Sequence, residues 1–165
     1  MRFAEFAKIV AALLLLAIVF AAPAHAQNNK PVRSGTWYED RASAMISNNM
    51  LTLWFAQAPT DKVLNITHVA CDIHTALGWV LAHTTIGGST NNGPSGDLGR
   101  TQTIRGSAEA EVSVSFRYYS VIADTFLKLG PGRFPFITIT SASTANASPF
   151  QVSADCVIVG NLSDD

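Results

Sequence analysis

The chain has 165 residues, of which 48% are hydrophobic, and its 11 basic and 12 acidic residues give a formal net charge of −1 at pH 7. The basic residues are spread singly and form no stripe, as at Arg33, Lys62, Arg100, Arg117 and Lys128. This pattern excludes the broad positive surface by which proteins bind nucleic acid or anionic membranes, so we expect no nucleic-acid partner.

The N-terminal residues 1–26 have the pattern of a secretory signal peptide. A short charged start is followed by an apolar run from Ile9 to Ala22, and Ala24-His25-Ala26 matches the small-x-small pattern that signal peptidase reads. The run is shorter than the roughly 20 apolar residues of a membrane span. We therefore predict an exported chain, periplasmic or extracellular, that begins at Gln27 and has no stable membrane span once the signal is removed.

The segment 27–48 is predicted to be an N-terminal arm outside the main domain. The stretch from Tyr38 to Asn48 has few apolar positions, and Glu39, Asp40 and Arg41 sit where the first turn of a helix would begin. We therefore expect at most a short helical turn in this arm.

From residue 49 to residue 165, apolar and polar side chains alternate with the period of two that is typical of β-strands. Met50–Ala58 and Val63–Ile73, separated by the turn residues Pro59 to Lys62, are predicted to form a hairpin. Further strands are predicted at Trp79–Ile86, Thr101–Arg105, Glu111–Ile122, Asp124–Leu129, Phe134–Thr140 and Phe150–Val159. The pattern predicts an all-β domain, an antiparallel sandwich of immunoglobulin-like or jelly-roll type.

The two cysteines, Cys71 and Cys156, are predicted to form a disulfide, because an even pair in an exported protein is typically bonded. Cys71 lies on the same side of its strand as Val69 and Ile73, and Cys156 on the same side as Ile158. Both therefore point to the apolar side, so we expect a bridge across the core that links the second strand to the last.

The run from Trp54 to Cys71 (WFAQAPTDKVLNITHVAC) resembles a segment of small exported bacterial β-sandwich proteins. In those proteins a strand, a Pro-x-x-Lys turn and a strand ending in I-x-x-V-S-C follow one another, and Ala70 stands here where they often carry serine. The resemblance implies a β-rich fold, and it implies no activity.

Histidines and an aspartate suggest one candidate metal site. His68, Asp72 and His74 share a strand face, and pairing residue 74 with residue 79 would bring His83 between His68 and Asp72. Imidazole and carboxylate groups so placed could hold zinc or copper. A slip of one residue in register would abolish this cluster. The interpretation that we favour is polar side chains on a solvated sheet face.

No pattern points to catalysis, and we predict no catalytic residue and no cofactor. Glu109 and Glu111 lie two residues apart, but catalytic carboxylates normally flank the substrate from different elements. The sequence has no Gly-x-Ser-x-Gly motif.

Aromatic residues provide the other candidate site. We expect Trp54 and Trp79 in the core, and Trp37, Tyr38 and Tyr119 on the surface, where they could stack on a sugar ring. The polar stretch Gly87–Gly99 is predicted to be a long loop that could contribute to binding.

The leading hypothesis is a non-catalytic exported β-sandwich, a binding or structural module of the cell envelope whose partner is a glycan or another envelope protein. A carbohydrate-binding module using Trp37, Tyr38 and Tyr119 is the alternative. A metal-binding protein or enzyme based on His68, Asp72, His74 and His83 is a third possibility.

Overall fold

A computed structural model of the protein describes residues 30–93, 98–104, 111–113, 115–143 and 151–164. These residues contain ten strands and no helix, and the strands form two antiparallel sheets. The prediction of an all-β fold is therefore confirmed. The predicted signal peptide and Glu109 lie outside the described residues.

The larger sheet has six strands and the smaller sheet has four. In chain order the strands are β1 (Val32–Ser34), β2 (Trp37–Ile46), β3 (Met50–Trp54), β4 (Val63–Ala76), β5 (Trp79–Ser89), β6 (Leu98–Ile104), β7 (Glu111–Val112), β8 (Phe116–Leu129), β9 (Phe134–Ser143) and β10 (Val152–Ser163). The larger sheet has the order β1-β2-β10-β4-β8-β7, and the smaller sheet has the order β3-β9-β5-β6.

The hydrophobic core lies between the two sheets. Alternate residues of each strand point inward, so that Ile73 and Ile158 of the larger sheet join Leu53 and Ile137 of the smaller sheet in one buried cluster. Burial of apolar surface of this kind, at about 25 cal/mol per Å², is the main favourable contribution to folding. Because the inner faces are apolar, the outward-pointing residues are the ones available for binding.

The predicted hairpin between Met50–Ala58 and Val63–Ile73 is wrong. β3 pairs with β9 in the smaller sheet, whereas β4 lies in the larger sheet between β10 and β8. The intervening chain passes from one sheet to the other, and its Phe55 and Ala58 amides donate to carbonyls of Pro135 and Arg133. An alternating pattern predicts which side of a strand is buried, but it does not identify the sheet to which the strand belongs.

The helical turn predicted within Tyr38–Asn48 is also wrong, because Trp37–Ile46 is the strand β2. Its inward positions are Tyr38, Asp40 and Ala42, and a carboxylate at the middle of these positions concealed the apolar alternation. The sandwich accordingly starts before residue 49, since β1 and β2 both belong to the larger sheet.

Asp40 connects the two sheets through its buried carboxylate, which is only 2% exposed. Its Oδ2 accepts a hydrogen bond of 2.7 Å from the amide of Ala56, just beyond β3, and its Oδ1 accepts one of 2.9 Å from the amide of Arg41. The Tyr38 hydroxyl also donates to Oδ2 at 3.4 Å. Burial raises the pKa of Asp40, while the two amide hydrogen bonds oppose that rise.

We expect Asp40→Ala to lower the free energy of unfolding by about 1–3 kcal/mol, because it leaves buried N–H donors without an acceptor.

A pH series with Asp40→Asn tests whether the neutral or the ionised carboxyl group of Asp40 stabilises the fold. Because folding raises the pKa of Asp40, the folded state binds this proton more tightly than the unfolded state does. The contribution of Asp40 to stability is therefore complete below the ordinary pKa of 3.8 and falls as the pH rises through the higher folded-state pKa.

Urea unfolding of the wild type and Asp40→Asn, measured at a series of pH values, checks this expectation. The stability advantage of the wild type over the variant should shrink as the pH rises. Asp72→Asn is the matched control, because it removes one carboxylate at an exposed position. An advantage that grows with pH would mean that the ionised carboxylate is the form that the fold prefers.

The predicted Cys71–Cys156 disulfide is confirmed, with a Cα–Cα distance of 4.1 Å. The two cysteines lie directly opposite each other in the register of β4 and β10, and both side chains are buried. The bond therefore joins neighbouring strands of one sheet, and the expectation that it crosses the core between sheets is wrong. The inward orientation of both residues was predicted correctly, but it is shared by neighbours within a sheet and by partners across the core.

Candidate functional site: the open face of the larger sheet

The outward-pointing side chains of β2, β10, β4 and β8 form a broad surface that we call the open face. Antiparallel pairing aligns these side chains in rows across the four strands. One row contains Ser43, Asp155, Asp72 and Ser120. The next row contains Met45, Ser153, His74 and Tyr118. Backbone pairing on both sides of β10 and β4 fixes the spacing of the side chains in the two rows.

A shallow depression of about 520 Å³ lies on the open face. Polar groups of different kinds surround it, namely two carboxylates, two hydroxyls and an imidazole. They belong to Asp72, Asp155, Ser43, Ser153 and His74. This set supplies both hydrogen-bond acceptors and donors to a ligand that approaches from solvent.

Asp155 is held in place by Arg41 of β2. The guanidinium donates two hydrogen bonds to the carboxylate, Nε to Oδ1 at 2.7 Å and Nη2 to Oδ2 at 2.5 Å. The hydrogen bonds from Arg41 to Asp155, together with the attraction between their charges, raise the pKa of Arg41. A bidentate pair of this geometry restricts both side chains, so one wall of the depression is ordered before any ligand arrives.

Asp72 lies directly opposite Asp155 in the register of β4 and β10. Its side chain is exposed, and within the described part of the chain it forms no hydrogen bond or ion pair of its own. Its carboxylate oxygens are therefore available as acceptors beside the ordered Arg41–Asp155 pair.

His74, which lines the depression, packs against an aromatic ring of β8. The His74 and Tyr118 rings lie edge to face, with centroids 4.5 Å apart, and Tyr118 is 37% exposed. Farther along β8, Ile122 and Phe126 also point outward and are exposed. The open face thus combines a polar centre with an aromatic and apolar border along β8.

The candidate metal cluster of four residues is not assembled in the structure. His68, Asp72 and His74 do share the open face, but His83 lies in β5 of the other sheet, opposite Thr140. The turn between β4 and β5 joins the two sheets, and these strands are not paired. His68 instead pairs with Asp124, with 3.0 Å between Nδ1 and Oδ1. Within the residues that the structure describes, no group of three or more His, Cys, Asp or Glu residues could hold a metal ion.

The predicted aromatic binding site is corrected in two of its three positions. Trp37 is 45% exposed, as expected, but Tyr38 is 0% exposed and Tyr119 is 7% exposed, so neither tyrosine ring can stack on a ligand. Trp79 is buried, as predicted, and Trp54 is partly buried. Tyr118 is the tyrosine that reaches the open face.

The error at Tyr119 has a local cause. Glu111–Ile122 was predicted to be one strand, which would place Tyr118 inward and Tyr119 outward. The structure instead has a turn between β7 and β8, where the Ser113 amide donates to the Phe116 carbonyl at 2.8 Å. The turn shifts the alternation, so that Tyr119 and Val121 point into the core.

The predicted Gly87–Gly99 loop is shorter than expected. Gly87 and Gly88 are buried within β5, and Leu98 and Gly99 belong to β6. Residues 94–97 lie outside the described part of the chain. The two glycines allow close packing, since a Cβ at Gly87 would come within 2.6 Å of the Phe136 ring.

No protein-family model matches the chain, and no curated protein matches it either. Among the described residues there is no helix with the length and hydropathy needed to cross a membrane. The function is therefore argued from the geometry of the open face.

Proposed function

We propose that the chain is a non-catalytic binding module of the cell envelope, exported by its N-terminal signal, that recognises its partner through the open face. The signal-like N-terminus and the resemblance to small exported bacterial β-sandwich proteins support export. The Cys71–Cys156 disulfide is consistent with an oxidising compartment, periplasmic or extracellular.

The depression on the open face is the observation that carries the proposal. It places Asp72, whose carboxylate forms no hydrogen bond within the described residues, beside the ordered Arg41–Asp155 pair. Binding sites gain affinity when their polar groups are ordered before the ligand arrives, because less conformational entropy is lost on binding. Exposed carboxylates on rigid strands meet this condition.

A carbohydrate is the ligand class that the depression favours. Sugars present several hydroxyls that both donate and accept hydrogen bonds, and carboxylate, hydroxyl and imidazole groups match them. Their apolar ring faces also pack on aromatic side chains, and the exposed Tyr118 ring contacts His74, which lines the depression. The proposed carbohydrate contacts are thus Asp72, His74 and Tyr118, in place of Tyr38 and Tyr119.

Titration calorimetry with soluble cell-envelope polysaccharides tests this proposal. We expect Asp72→Asn and Tyr118→Ala each to weaken glycan binding by about tenfold or more. Asp72→Asn removes hydrogen bonds to a charged carboxylate, and Tyr118→Ala removes the contact between the tyrosine ring and the sugar. Asp61→Asn is the matched control, because Asp61 is an exposed aspartate in the turn before β4. Its affinity should equal that of the wild type.

Two results would contradict the carbohydrate proposal. One is glycan binding that neither open-face variant weakens. The other is a complete lack of glycan binding by the wild type, in which case the apolar border of Ile122 and Phe126 becomes the candidate contact for an envelope protein.

A further inference from the structure

We propose that the protein has a second binding site, for a phosphate or sulfate group, in a cleft lined by Arg100, Lys128 and Arg133. We call it the basic cleft. It goes beyond the proposed function, because it lies apart from the depression on the open face and shares no residue with it.

The basic cleft has a volume of about 240 Å³ and lies where the two sheets approach each other at one end of the sandwich. Arg100 comes from β6, Lys128 from the end of β8, and Arg133 from the turn that leads into β9. Two separate parts of the chain therefore contribute basic residues to the lining of one small cleft. This convergence corrects the impression, taken from the sequence, that the basic residues are only scattered.

The positive charge of the basic cleft is not neutralised within the described residues. The ion pairs found there are Arg41–Asp155, Lys62–Asp164 and His68–Asp124. None of them involves a cation of the basic cleft, and no acidic side chain lines it. In a chain whose net charge is −1, three basic residues that form no ion pair within the described residues create a local attraction for an anion.

Glycines bring the backbone close enough to form the floor of the cleft. β5 bulges at Gly88, where a Cβ would lie 2.4 Å from Cδ2 of Leu129. A Cβ at Gly99 would lie 2.9 Å from the Gly88 carbonyl oxygen. A side chain at Gly88 would press β5 away from β8, and one at Gly99 would press β6 away from β5, so glycine at both positions keeps the three strands close together around the cleft.

The turn that carries Arg133 is also fixed. The Gly132 amide donates to the Pro59 carbonyl at 2.9 Å, and the Gln57 side-chain amide donates to the Gly132 carbonyl at 2.9 Å. Gly132 has a φ of 70°, a backbone conformation that glycine adopts readily. Arg133 is thereby positioned beside the cleft without a ligand.

These features favour a compact oxyanion of the phosphate or sulfate type. Guanidinium groups bind phosphate and sulfate through paired hydrogen bonds, and lysine adds a point charge. A cleft of about 240 Å³ accommodates one such group with part of its carrier. The group could be the free ion, a sulfate or phosphate ester on a polysaccharide, or a lipid headgroup, because all of these share the same chemistry.

Two-dimensional NMR of the oxidised, folded protein tests the basic cleft with three probes: inorganic phosphate or sulfate, a soluble sulfated polysaccharide, and phosphatidylglycerol vesicles. We expect saturable shifts of the Gly99 and Gly130 amides with at least one probe, and the probes that act identify the source of the anion. Lys128→Gln and Arg133→Gln should each raise the dissociation constant by about tenfold.

Two controls separate this site from the open face. Lys62→Gln removes a cation paired elsewhere and should leave the affinity unchanged. Asp72→Asn should weaken glycan binding but not anion binding, so the two proposals can fail independently. Lack of saturable binding to all three probes would overturn the basic cleft, as would equal affinity in the wild type and both cleft variants.

Discussion

The Cys71→Ala/Cys156→Ala double variant is expected to lose about 2–5 kcal/mol of unfolding free energy. The disulfide closes a loop with a sequence separation of 85, so its loss gives the unfolded chain much more conformational freedom. Alanine keeps the inward positions apolar, although it fills less of the core than the paired sulfurs do.

Urea unfolding with and without reductant measures this loss. Reductant should move the midpoint of the wild type toward that of the double variant and leave the variant itself unchanged. If the oxidised wild type and the double variant unfolded at the same denaturant concentration, the bond would not contribute to stability.

Gly160→Ala should destabilise the fold by about 3 kcal/mol or more, through overpacking against backbone that cannot yield. Gly160 lies at a bulge in the pairing of β10 with β4. A Cβ there would lie 2.3 Å from the Asn65 carbonyl oxygen and 3.0 Å from the Ile66 Cα. β4 has β8 on its other side, so moving it away would disturb a second pairing.

Thermal unfolding of Gly160→Ala beside Gly130→Ala measures this effect. A Cβ at Gly130 meets no atom within 4 Å, so that control should change the free energy of unfolding by less than about 0.5 kcal/mol. Similar melting temperatures for the two variants would show that the bulge adjusts and that the close contact is not a constraint.

Side-chain alternation predicted much of the local structure. The strand pattern, the inward orientation of Cys71 and Cys156, and the shared face of His68, Asp72 and His74 were all correct. Each of these depends on neighbours within one strand, where the period of two follows from backbone geometry.

The errors concern relations between strands. The positions of His83 and of the predicted first hairpin depended on whether successive strands share a sheet. Turn residues occur both in hairpins within one sheet and in connections that cross from one sheet to the other, so they do not distinguish the two. Tyr119 was misplaced because the turn after β7 shifts the alternation. Convergence of Arg100, Lys128 and Arg133 could not be predicted from their spacing, since it arises only when the ends of both sheets meet.

The position of β10 constrains the order in which the molecule can fold. Synthesis proceeds from the N-terminus, so β10 emerges after the other nine strands that the structure describes, yet it lies between β2 and β4. Until it arrives, β2 has only the three-residue β1 beside it, and β4 has one open edge. Open edges with apolar faces invite aggregation. The incomplete chain should therefore need a chaperone, or rapid completion of folding, until β10 inserts between β2 and β4 and pairs with both of their open edges.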